Sequence, residues 1–273
     1  KIKKSQRLNP LSAFEKIERF SKWHKRIELL IQLGLDKWAK RSARLFYKEA
    51  KNNLLFARNQ EAFVYLSRLL HRTKNYQLSI SLTYELQKQF KDFWKKWPDQ
   101  LMYYFPRPYE NLYQKSATKA DIDADLLYAI SRQESLFDPD ALSPANAIGL
   151  MQVIPPTAKK VINTHKIKHN KKLERQLQEP DFNAHIGALY VSSLLKRYKG
   201  VKPYVLGNYN AGPEALQKWL ETFPNKDMAL WVELVSFSET REYIKKVWRN
   251  LLIYQELSRY QKMVALGKQK QPQ

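Results

Sequence analysis

Apolar residues recur at helical spacing through the first hundred residues of the chain. They form four stripes, separated by short polar links at Asn52-Asn53 and Lys74-Asn75. The pattern predicts stacked helical hairpins with a repeat of about forty residues, as in superhelical arrays of helix pairs. The stripes contain Phe14, Ile17, Phe20, Ile27, Leu30 and Ile31; Trp38, Ala43, Leu45, Phe46 and Ala50; Phe63, Leu66, Leu69 and Leu70; and Leu78, Ile80, Leu82, Leu86 and Phe90.

A proline-containing segment interrupts the helical pattern after these hairpins. Residues 103–109 include Pro106 and Pro108, which disfavour helix. We therefore expect two domains, with residues 1–103 forming the hairpins and residues 104–273 forming a second helical domain. A hydrophobic content of 44% is ample for packed cores, and the pattern predicts an all-α protein.

One carboxylate extends the apolar face of a predicted helix in the second domain. The helix is expected to begin after Asp123, a suitable N-cap, and Leu126, Ile130 and Glu134 follow at spacings of four residues. Partial desolvation at such a position raises the pKa of a carboxyl group, so Glu134 could donate a proton near neutral pH. The alternative is a structural ion pair with Arg132 or another nearby base.

Small and amide residues follow this carboxylate in the sequence. Gly149 lets the backbone approach a ligand closely, and the amide of Gln152 can bind sugar hydroxyls and N-acetyl groups. Met151 is a flexible filler that more often packs in a core. Pro156 then permits a new helix to begin. In the simpler interpretation, Gly149 is an ordinary turn glycine and Gln152 a surface amide.

Two polar positions further along the chain are also candidates for a site. Tyr209 lies between Asn208 and Asn210, shortly before a Gly-Pro pair that marks a helix end and a turn. Its hydroxyl could reach the carboxylate or a ligand, or its ring could close the core. Glu239 stands three residues after Ser236, which is the spacing of a capping box. It could cap the following helix, contact a cleft, or do both.

Several motifs resemble those of the soluble lytic transglycosylases, the goose-lysozyme-like enzymes that cut peptidoglycan glycan strands. They occur in the family's order between residues 104 and 260. The resemblance implies a lysozyme-like α-helical catalytic domain, preceded here by a short helical superhelix. The motifs are Arg132-Gln133-Glu134-Ser135, Ser143-Pro144-Ala145, Ala147-Ile148-Gly149-Leu150-Met151-Gln152, Pro156-Thr157-Ala158, Asn208-Tyr209-Asn210-Ala211-Gly212-Pro213 and Ser238-Glu239-Thr240-Arg241-Glu242-Tyr243.

The resemblance also assigns roles to individual residues. It implies that Glu134 is the catalytic acid and base. Two positions depart from the family: Asn146 stands where Gly is frequent, and Ile154 where Met is frequent. Asn tolerates a left-handed backbone conformation, so we expect the loop to survive the first change. The residues implied to bind substrate or line the cleft are Ser143, Gly149, Met151, Gln152, Asn208, Tyr209, Asn210 and Glu239.

The implied activity is cleavage of the β-1,4 bond between N-acetylmuramic acid and N-acetylglucosamine. Glu134 would protonate the glycosidic oxygen and then take a proton from the muramyl C6 hydroxyl, which attacks C1 and closes a 1,6-anhydro ring. The substrate's N-acetyl group is a candidate stabiliser of the cation between the steps. One alternative is a hydrolytic muramidase with Glu233, Glu239 or Glu242 as a second carboxylate. Another is a non-catalytic wall-binding scaffold.

Other catalytic and metal chemistries lack the residues that they need. The chain has no cysteine, which excludes thiol catalysis and zinc–thiolate sites. His165 and His169 lie four residues apart, but no glutamate follows the first, as the His-Glu-x-x-His metal motif requires. We expect no metal and no organic cofactor.

The charge is strongly basic, with 48 Lys and Arg against 26 Asp and Glu and a net charge of +22. Basic chains often bind nucleic acid, but no nucleic-acid motif accompanies these lysines. Peptidoglycan also carries carboxylates, so we expect affinity for its strands and no nucleic-acid partner; a protein partner of the N-terminal helices stays open. No run of about eighteen apolar residues predicts a membrane span. The expected location is the periplasm or cell envelope, although no export signal opens this sequence.

Overall fold

The computed structural model describes residues 18–52, 59–168, 172–224 and 226–269. Within these ranges the secondary structure is helical, with two isolated antiparallel bridges and no strand. The predicted all-α class is therefore confirmed. The chain forms two compact units and passes from the first to the second between Pro108 and Tyr109, within the proline-containing segment predicted as a boundary. No helix in the described ranges is long and apolar enough to cross a membrane.

The described residues of the first unit form two helical hairpins followed by two short helices. In each hairpin the two helices pack against each other, and a residue with positive φ, Gly34 or Lys74, lies in the turn. The second hairpin repeats the first after about forty residues, as predicted. The helices are α1 (Glu18–Gln32), α2 (Asp36–Lys51), α3 (Gln60–Arg72), α4 (Tyr76–Gln89), α5 (Phe93–Lys96) and α6 (Gln100–Tyr104).

The core of this unit corrects part of the predicted second stripe. Ala43, Phe46 and Ala50 are buried, whereas Trp38 and Leu45 are 55% and 47% exposed. Trp38 and Leu45 are seven residues apart, so they share a face of α2, and that face lies beside the buried one. These two residues of the apolar pattern therefore lie outside the core. Phe14 and Ile17 of the first stripe lie outside the described residues.

Buried polar groups join the two hairpins. Asn75, in the turn between α3 and α4, accepts a hydrogen bond from Arg44 Nε at 2.7 Å and donates to the Lys40 carbonyl at 3.1 Å. Asn75 is only 2% exposed, so these bonds to α2 satisfy an amide that would otherwise be costly to bury.

The second unit packs helices around a buried central helix. The helices are α7 (Glu110–Ala120), α8 (Ala124–Glu134), α9 (Pro155–His165), α10 (Leu173–Leu177), α11 (Pro180–Arg197), α12 (Lys202–Thr222), α13 (Met228–Leu234) and α14 (Ser238–Gln269). Helix α8 packs against α7 and α14, and α11 packs against α7. Asp123 caps α8 by accepting from the Asp125 amide, as predicted. Leu126 and Ile130 of the predicted stripe are buried.

Two helix boundaries in this unit bear on the site. Helix α12 is broken at Gly212, where φ is 84° and ψ is 169°, and Pro213 follows the break. Helix α14 begins at Ser238, so Ser236 is not its N-cap and the predicted capping box was wrong. The Ser236 hydroxyl instead accepts a hydrogen bond from Trp219 Nε1 at 2.9 Å.

Candidate active site

Glu134 is the last residue of α8 and is bound by a tyrosine from α14. Tyr243 is 6% exposed and donates its hydroxyl to Glu134 Oε1 at 2.5 Å. The predicted alternative, an ion pair between Glu134 and Arg132, does not form. A neutral donor therefore holds the carboxyl in place without supplying a positive charge to keep it ionised.

The surroundings of Glu134 raise its pKa from 4.5 to about 7. Burial is the largest cause, because a desolvated carboxylate is less stable than its neutral form. The negative charge of Glu239 acts in the same direction, and the hydrogen bond from Tyr243 opposes both. Burial also raises the pKa of Tyr243 well above its ordinary value, so this tyrosine stays a donor at neutral pH.

The loop from α8 to α9 forms one wall beside this carboxyl. Its backbone adopts positive φ at Leu136, Phe137, Asn146, Gly149 and Gln152. The value of 59° at Asn146 agrees with the expectation that Asn accommodates a left-handed conformation at this position. Such concentrated backbone strain persists only where surrounding contacts hold it.

Asn183 of α11 provides many of these contacts and was not identified from the sequence. It is fully buried, and its Nδ2 donates to the carbonyls of Ile148 and Leu177 at 2.7 and 2.8 Å. Its Oδ1 accepts from the Met151 amide at 2.8 Å. One side-chain amide thus braces the strained loop from behind. An Asn at helical spacing from apolar residues, here Ile186 and Tyr190, is the only sequence signal for this role.

Gly149 lies against this brace. A Cβ at position 149 would come within 2.5 Å of Asn183 Nδ2 and 2.6 Å of the Leu177 carbonyl oxygen. With φ at 77°, the position is also unfavourable for any residue with a side chain. The close approach that this glycine permits is therefore to the protein interior, and its predicted contact with substrate stays a prediction.

A cavity of about 470 Å³ opens in front of Glu134. It brings together most of the site residues predicted from the sequence, including both carboxylates, and Ile154 lines it as well. Gly149 and Met151 are not part of its surface; Met151 is fully buried behind it. The predicted residues that line the cavity are Glu134, Ser143, Gln152, Asn208, Tyr209, Asn210 and Glu239.

Polar residues of the cavity wall also bind the protein's own backbone. Gln152 Nε2 donates to the Ala141 and Gly149 carbonyls, each at 3.0 Å, and Ser143 Oγ accepts from the Ala147 amide at 3.0 Å. These bonds fix the loop that carries the two side chains.

The tyrosine predicted to face the carboxyl has a different partner. Tyr209 donates its hydroxyl to the Met151 carbonyl at 2.7 Å, which ties α12 to the loop. The charge of Glu134 contributes to the raised pKa of Tyr209, after burial, so the two groups are near each other. Tyr243 makes the direct bond. Its spacing of four residues from Glu239 places both on one face of α14, a signal that the sequence offered.

The structure distinguishes the three candidates for a second catalytic carboxylate by their surroundings. Glu239 lines the same cavity as Glu134. Glu233 binds Lys245 Nζ at 2.7 Å, and Glu242 lies 3.8 Å from the same nitrogen. Only Glu239 among these three lines the cavity.

The structure describes only one of the two histidines considered as metal ligands. His165 ends α9, and His169 lies outside the described residues. The described part of the chain contains no group of three or more His, Cys, Asp or Glu residues able to hold a metal ion.

The chain is similar in sequence to lytic transglycosylases. Residues 111–232 match the family described as Transglycosylase SLT domain. A soluble lytic murein transglycosylase of Salmonella typhimurium is 35% identical over 154 residues, which are 56% of this chain and 24% of that protein. The chain thus spans about a quarter of the length of this curated relative.

Two solved structures share its fold. The 70 kDa soluble lytic transglycosylase SLT70 of Escherichia coli matches with a TM-score of 0.74 and 26% identity, over 94% of this chain and 38% of that one. An inactive Glu-to-Gln mutant of the lytic transglycosylase Slt from Pseudomonas aeruginosa matches with a TM-score of 0.69 and 27% identity, over 86% and 36%. The matched region contains Glu134, Tyr209 and the braced loop. Residues 111–232 are thus similar to the Transglycosylase SLT domain family, and the resemblance to soluble lytic transglycosylases is confirmed.

Proposed function

We propose that this chain is a peptidoglycan lytic transglycosylase that uses Glu134 first as an acid and then as a base. The observation that carries the proposal is the pKa of Glu134, about 7, in a cavity of sufficient size for sugar units. A group with this pKa can give up a proton and take one back at neutral pH, which is optimal for general acid–base catalysis.

In the first step, protonated Glu134 transfers its proton to the glycosidic oxygen between N-acetylmuramic acid and N-acetylglucosamine. The bond from C1 to that oxygen breaks, the N-acetylglucosamine unit leaves as an alcohol, and positive charge develops at C1. The Glu134 carboxylate that remains stabilises this charge electrostatically. Tyr243, still bonded to Oε1, keeps the carboxylate oriented.

In the second step, the same carboxylate takes the proton of the muramyl C6 hydroxyl while that oxygen attacks C1. The 1,6-anhydro ring closes, Glu134 is protonated again, and no water is consumed. The hydroxyl is tethered to the reacting sugar, which gives it a large advantage over free water. In the Pseudomonas aeruginosa relative, a Glu-to-Gln mutant is inactive, which supports an essential glutamate in this fold.

A hydrolytic muramidase is the second candidate, because Glu239 lines the same cavity. As a second carboxylate, it could activate a water molecule for attack at C1. In that reaction the Glu239 carboxylate would act as a base, in addition to raising the pKa of Glu134 through its charge.

Mass spectrometry of the products separates the two reactions. Purified sacculi are digested with the chain, and the released muropeptides are weighed. We expect 1,6-anhydromuramic ends, which are one water lighter than reducing ends, and no incorporation of ¹⁸O from labelled water. Products dominated by reducing ends that carry ¹⁸O would establish the muramidase reaction instead.

The location and partners of the chain follow from this substrate. Peptidoglycan lies outside the cytoplasm, so we place the chain in the cell envelope. The net charge of +22 favours adsorption to a wall that carries carboxylates. A scaffold without catalysis would bind sacculi but release no products. Release of muropeptides in the same digestion would exclude this alternative, and binding without release would establish it.

A further inference from the structure

A separate cavity of about 270 Å³ opens in the second unit between α7, α10 and α11. It shares no lining residue with the cavity in front of Glu134. We call it the polar pocket, because ionisable and amide side chains dominate its wall. We define it by Lys115, Lys119, Gln176, Glu179, Asp181 and His185.

Helix geometry brings these side chains to one place. Lys115 and Lys119 are four residues apart on α7, and Asp181 and His185 are four residues apart on α11, so each pair shares a helix face. Helix α7 packs against α11, and the short helix α10, which carries Gln176, packs against α11 as well. The pocket is therefore built by regular elements of the core.

Gln176 presents an unpaired acceptor in this pocket. The residue is only 9% exposed, and its buried Oε1 has no hydrogen-bond partner in the part of the chain that the structure describes. A buried acceptor without a donor is costly, and such atoms are rare in native proteins unless water, an ion or a ligand satisfies them. Because Gln176 lines the pocket, a donor bound there can satisfy this oxygen.

His185 offers a second polar atom of the same kind. Its Nδ1 is buried and has no partner among the described residues. Burial is the largest cause that lowers the pKa of His185, and the positive charge of Lys119 acts in the same direction. The ring is therefore neutral near pH 7 and contributes a hydrogen-bonding group to the pocket without adding a charge.

The charges of the pocket have both signs. Lys115 and Lys119 supply cations from α7, whereas Glu179 and Asp181 supply carboxylates at the start of α11. Among the described residues, Lys115, Lys119 and Asp181 take part in no ion pair. A ligand with only one charge would be attracted by one helix and repelled by the other.

We propose that the polar pocket is a further binding site, for a small zwitterion: a free amino acid or a short peptide with both ends charged. The ligand's carboxylate contacts Lys115 and Lys119, and its ammonium contacts Asp181 and donates to Gln176 Oε1. Hydrogen bonds that join charged groups are the stronger ones, so this pairing uses both signs of the pocket. The inference is independent of the proposed function, because the polar pocket and the cleft share no residue.

The size of the pocket supports this class of ligand. Its volume of about 270 Å³ is several times the share of one water molecule in the liquid, about 30 Å³. It is smaller than the sites of drug-sized molecules, which occupy about 300–1,000 Å³. One or a few amino-acid units therefore fit, and a glycan strand does not.

The first test titrates glycine, diglycine and triglycine into the purified chain by isothermal calorimetry. These probes are achiral zwitterions of increasing length, so neither a configuration nor a spacing of the charges has to be assumed. The N-acetylated form of each probe lacks the ammonium, and the amidated form lacks the carboxylate. We expect at least one zwitterion to bind with a Kd of about 1 mM or lower, and its single-charge forms to bind about tenfold more weakly.

A pocket that holds only water would leave all three zwitterions unbound at about ten times that concentration, which would overturn the proposal. Equal binding of a zwitterion and its single-charge forms would overturn it too, because recognition would not use both signs of charge.

The second test uses Gln176→Met, which removes the unpaired oxygen at similar side-chain size. We expect about tenfold weaker binding of the best probe, and an unfolding temperature of the empty protein that does not fall, since no hydrogen bond is lost. Gln178→Met is the matched control, because Gln178 is an exposed glutamine two residues away that does not line the pocket. It should leave the affinity unchanged.

The double variant Lys115→Gln/Lys119→Gln should weaken binding of the same probe about fivefold, because both lysines are exposed. Unchanged affinity in Gln176→Met, or an equal loss in Gln178→Met, would overturn the assignment of the site. A fall in the unfolding temperature of Gln176→Met without a change in affinity would also overturn it, since the glutamine would then be structural.

Discussion

The two compact units differ in how they use strained backbone. In the described part of the first unit, Lys74 is the only residue other than glycine with positive φ, and it lies in a hairpin turn. The described part of the second unit has eight such residues: four, Leu136, Phe137, Asn146 and Gln152, lie between Glu134 and helix α9, and the other four lie at helix ends. Strain in the first unit serves a chain reversal, whereas half of the strained positions of the second unit lie in the loop beside an ionisable group.

The buried polar groups of the two units show the same difference. Asn75 joins regular helices, and its bonds add stability to a repeated architecture. Asn183 holds an irregular loop in the shape that the cleft needs. In the second unit, strained backbone, a braced loop and a desolvated carboxyl lie together, which is typical of a functional site. We therefore expect substitutions there to affect activity, and matched substitutions in the first unit to affect only stability.

The largest expected effect is that of Glu134→Gln on turnover. The amide retains the shape but cannot donate and recover a proton, so activity on sacculi should fall by about a thousandfold or more.

The same substitution should increase the free energy of unfolding at alkaline pH. The pKa of Glu134 in the folded chain, about 7, lies above its ordinary value of 4.5, so the stability that it contributes is present below pH 4.5 and is lost as pH rises through 7.

At pH 8 the Glu134→Gln variant should therefore unfold with a free energy higher by about 1–3 kcal/mol than the unchanged chain, and the difference should vanish below pH 4.5. Urea denaturation at the two pH values measures it. Substantial turnover by this variant, or equal stabilities at both pH values, would refute the assignment of Glu134 as a desolvated acid.

The second prediction compares the two buried amides that serve different purposes. Asn183→Ala removes three hydrogen bonds and should lower the free energy of unfolding by about 3 kcal/mol, because it leaves backbone groups unsatisfied. It should also reduce kcat, since the loop beside Glu134 loses its brace. Asn75→Ala, the matched variant in the first unit, should cost about 2 kcal/mol and leave kcat unchanged.

Activity is measured at a temperature at which both variants stay folded by circular dichroism. An equal loss of kcat in both, or a loss in neither, would show that strain in the loop has no bearing on catalysis.

The third prediction concerns the two tyrosines of the cleft. Tyr243→Phe removes the hydrogen bond that lowers the pKa of Glu134, so that pKa should rise and the alkaline limb of the pH–rate profile should move to higher pH. Turnover at the optimum should fall about tenfold or more. Tyr209→Phe should slow turnover by about tenfold with little change in substrate binding and without the alkaline shift, since its hydroxyl binds the Met151 carbonyl.

If both variants move the profile equally, the geometry that assigns Tyr243 alone to the carboxyl is wrong. Unchanged kinetics for Tyr209→Phe would instead show that this residue only closes the core.

The smallest expected effect is that of salt. Binding to sacculi should weaken severalfold between about 0.05 and 0.3 M salt, because exposed charges are screened over a Debye length of about 10 Å at roughly 0.1 M. Cleavage of a short soluble glycan without stems should change little, because Glu134 is buried. Sacculus binding that is insensitive to salt would mean that the net charge has no role in wall affinity.

Much of the fold could be predicted because it rests on periodicity. The hairpins, the cap at Asp123 and the buried stripe that ends at Glu134 all follow from spacing and propensity, which act locally. Trp38 and Leu45 belong to an apolar pattern but are exposed, because periodicity identifies the apolar side of a helix and not which part of that side meets a partner helix.

The site was predicted less completely because its key contacts join distant positions. Tyr243 and Glu134 are 109 residues apart in the chain. Asn183 lies 32 residues after the Met151 amide that it binds. The local signals, which are the spacing of Tyr243 from Glu239 and the place of Asn183 among apolar residues of its helix, are also those of a packed tyrosine and a core amide. Motif resemblance located Glu134 and the loop, and only the packed structure shows what holds them.

The break in α12 has a consequence for how the cleft can change by mutation. In an unbroken helix the carbonyl of Tyr209 would accept from the amide four residues later, but that residue is Pro213, which has no N–H. Pro213 thus deprives this carbonyl of its usual helical donor, in a segment, residues 209–213, that lines the cavity. Variation at position 209 alters the hydroxyl but leaves the main-chain oxygen without that donor, and restoring the helical bond would require changes at both Gly212 and Pro213.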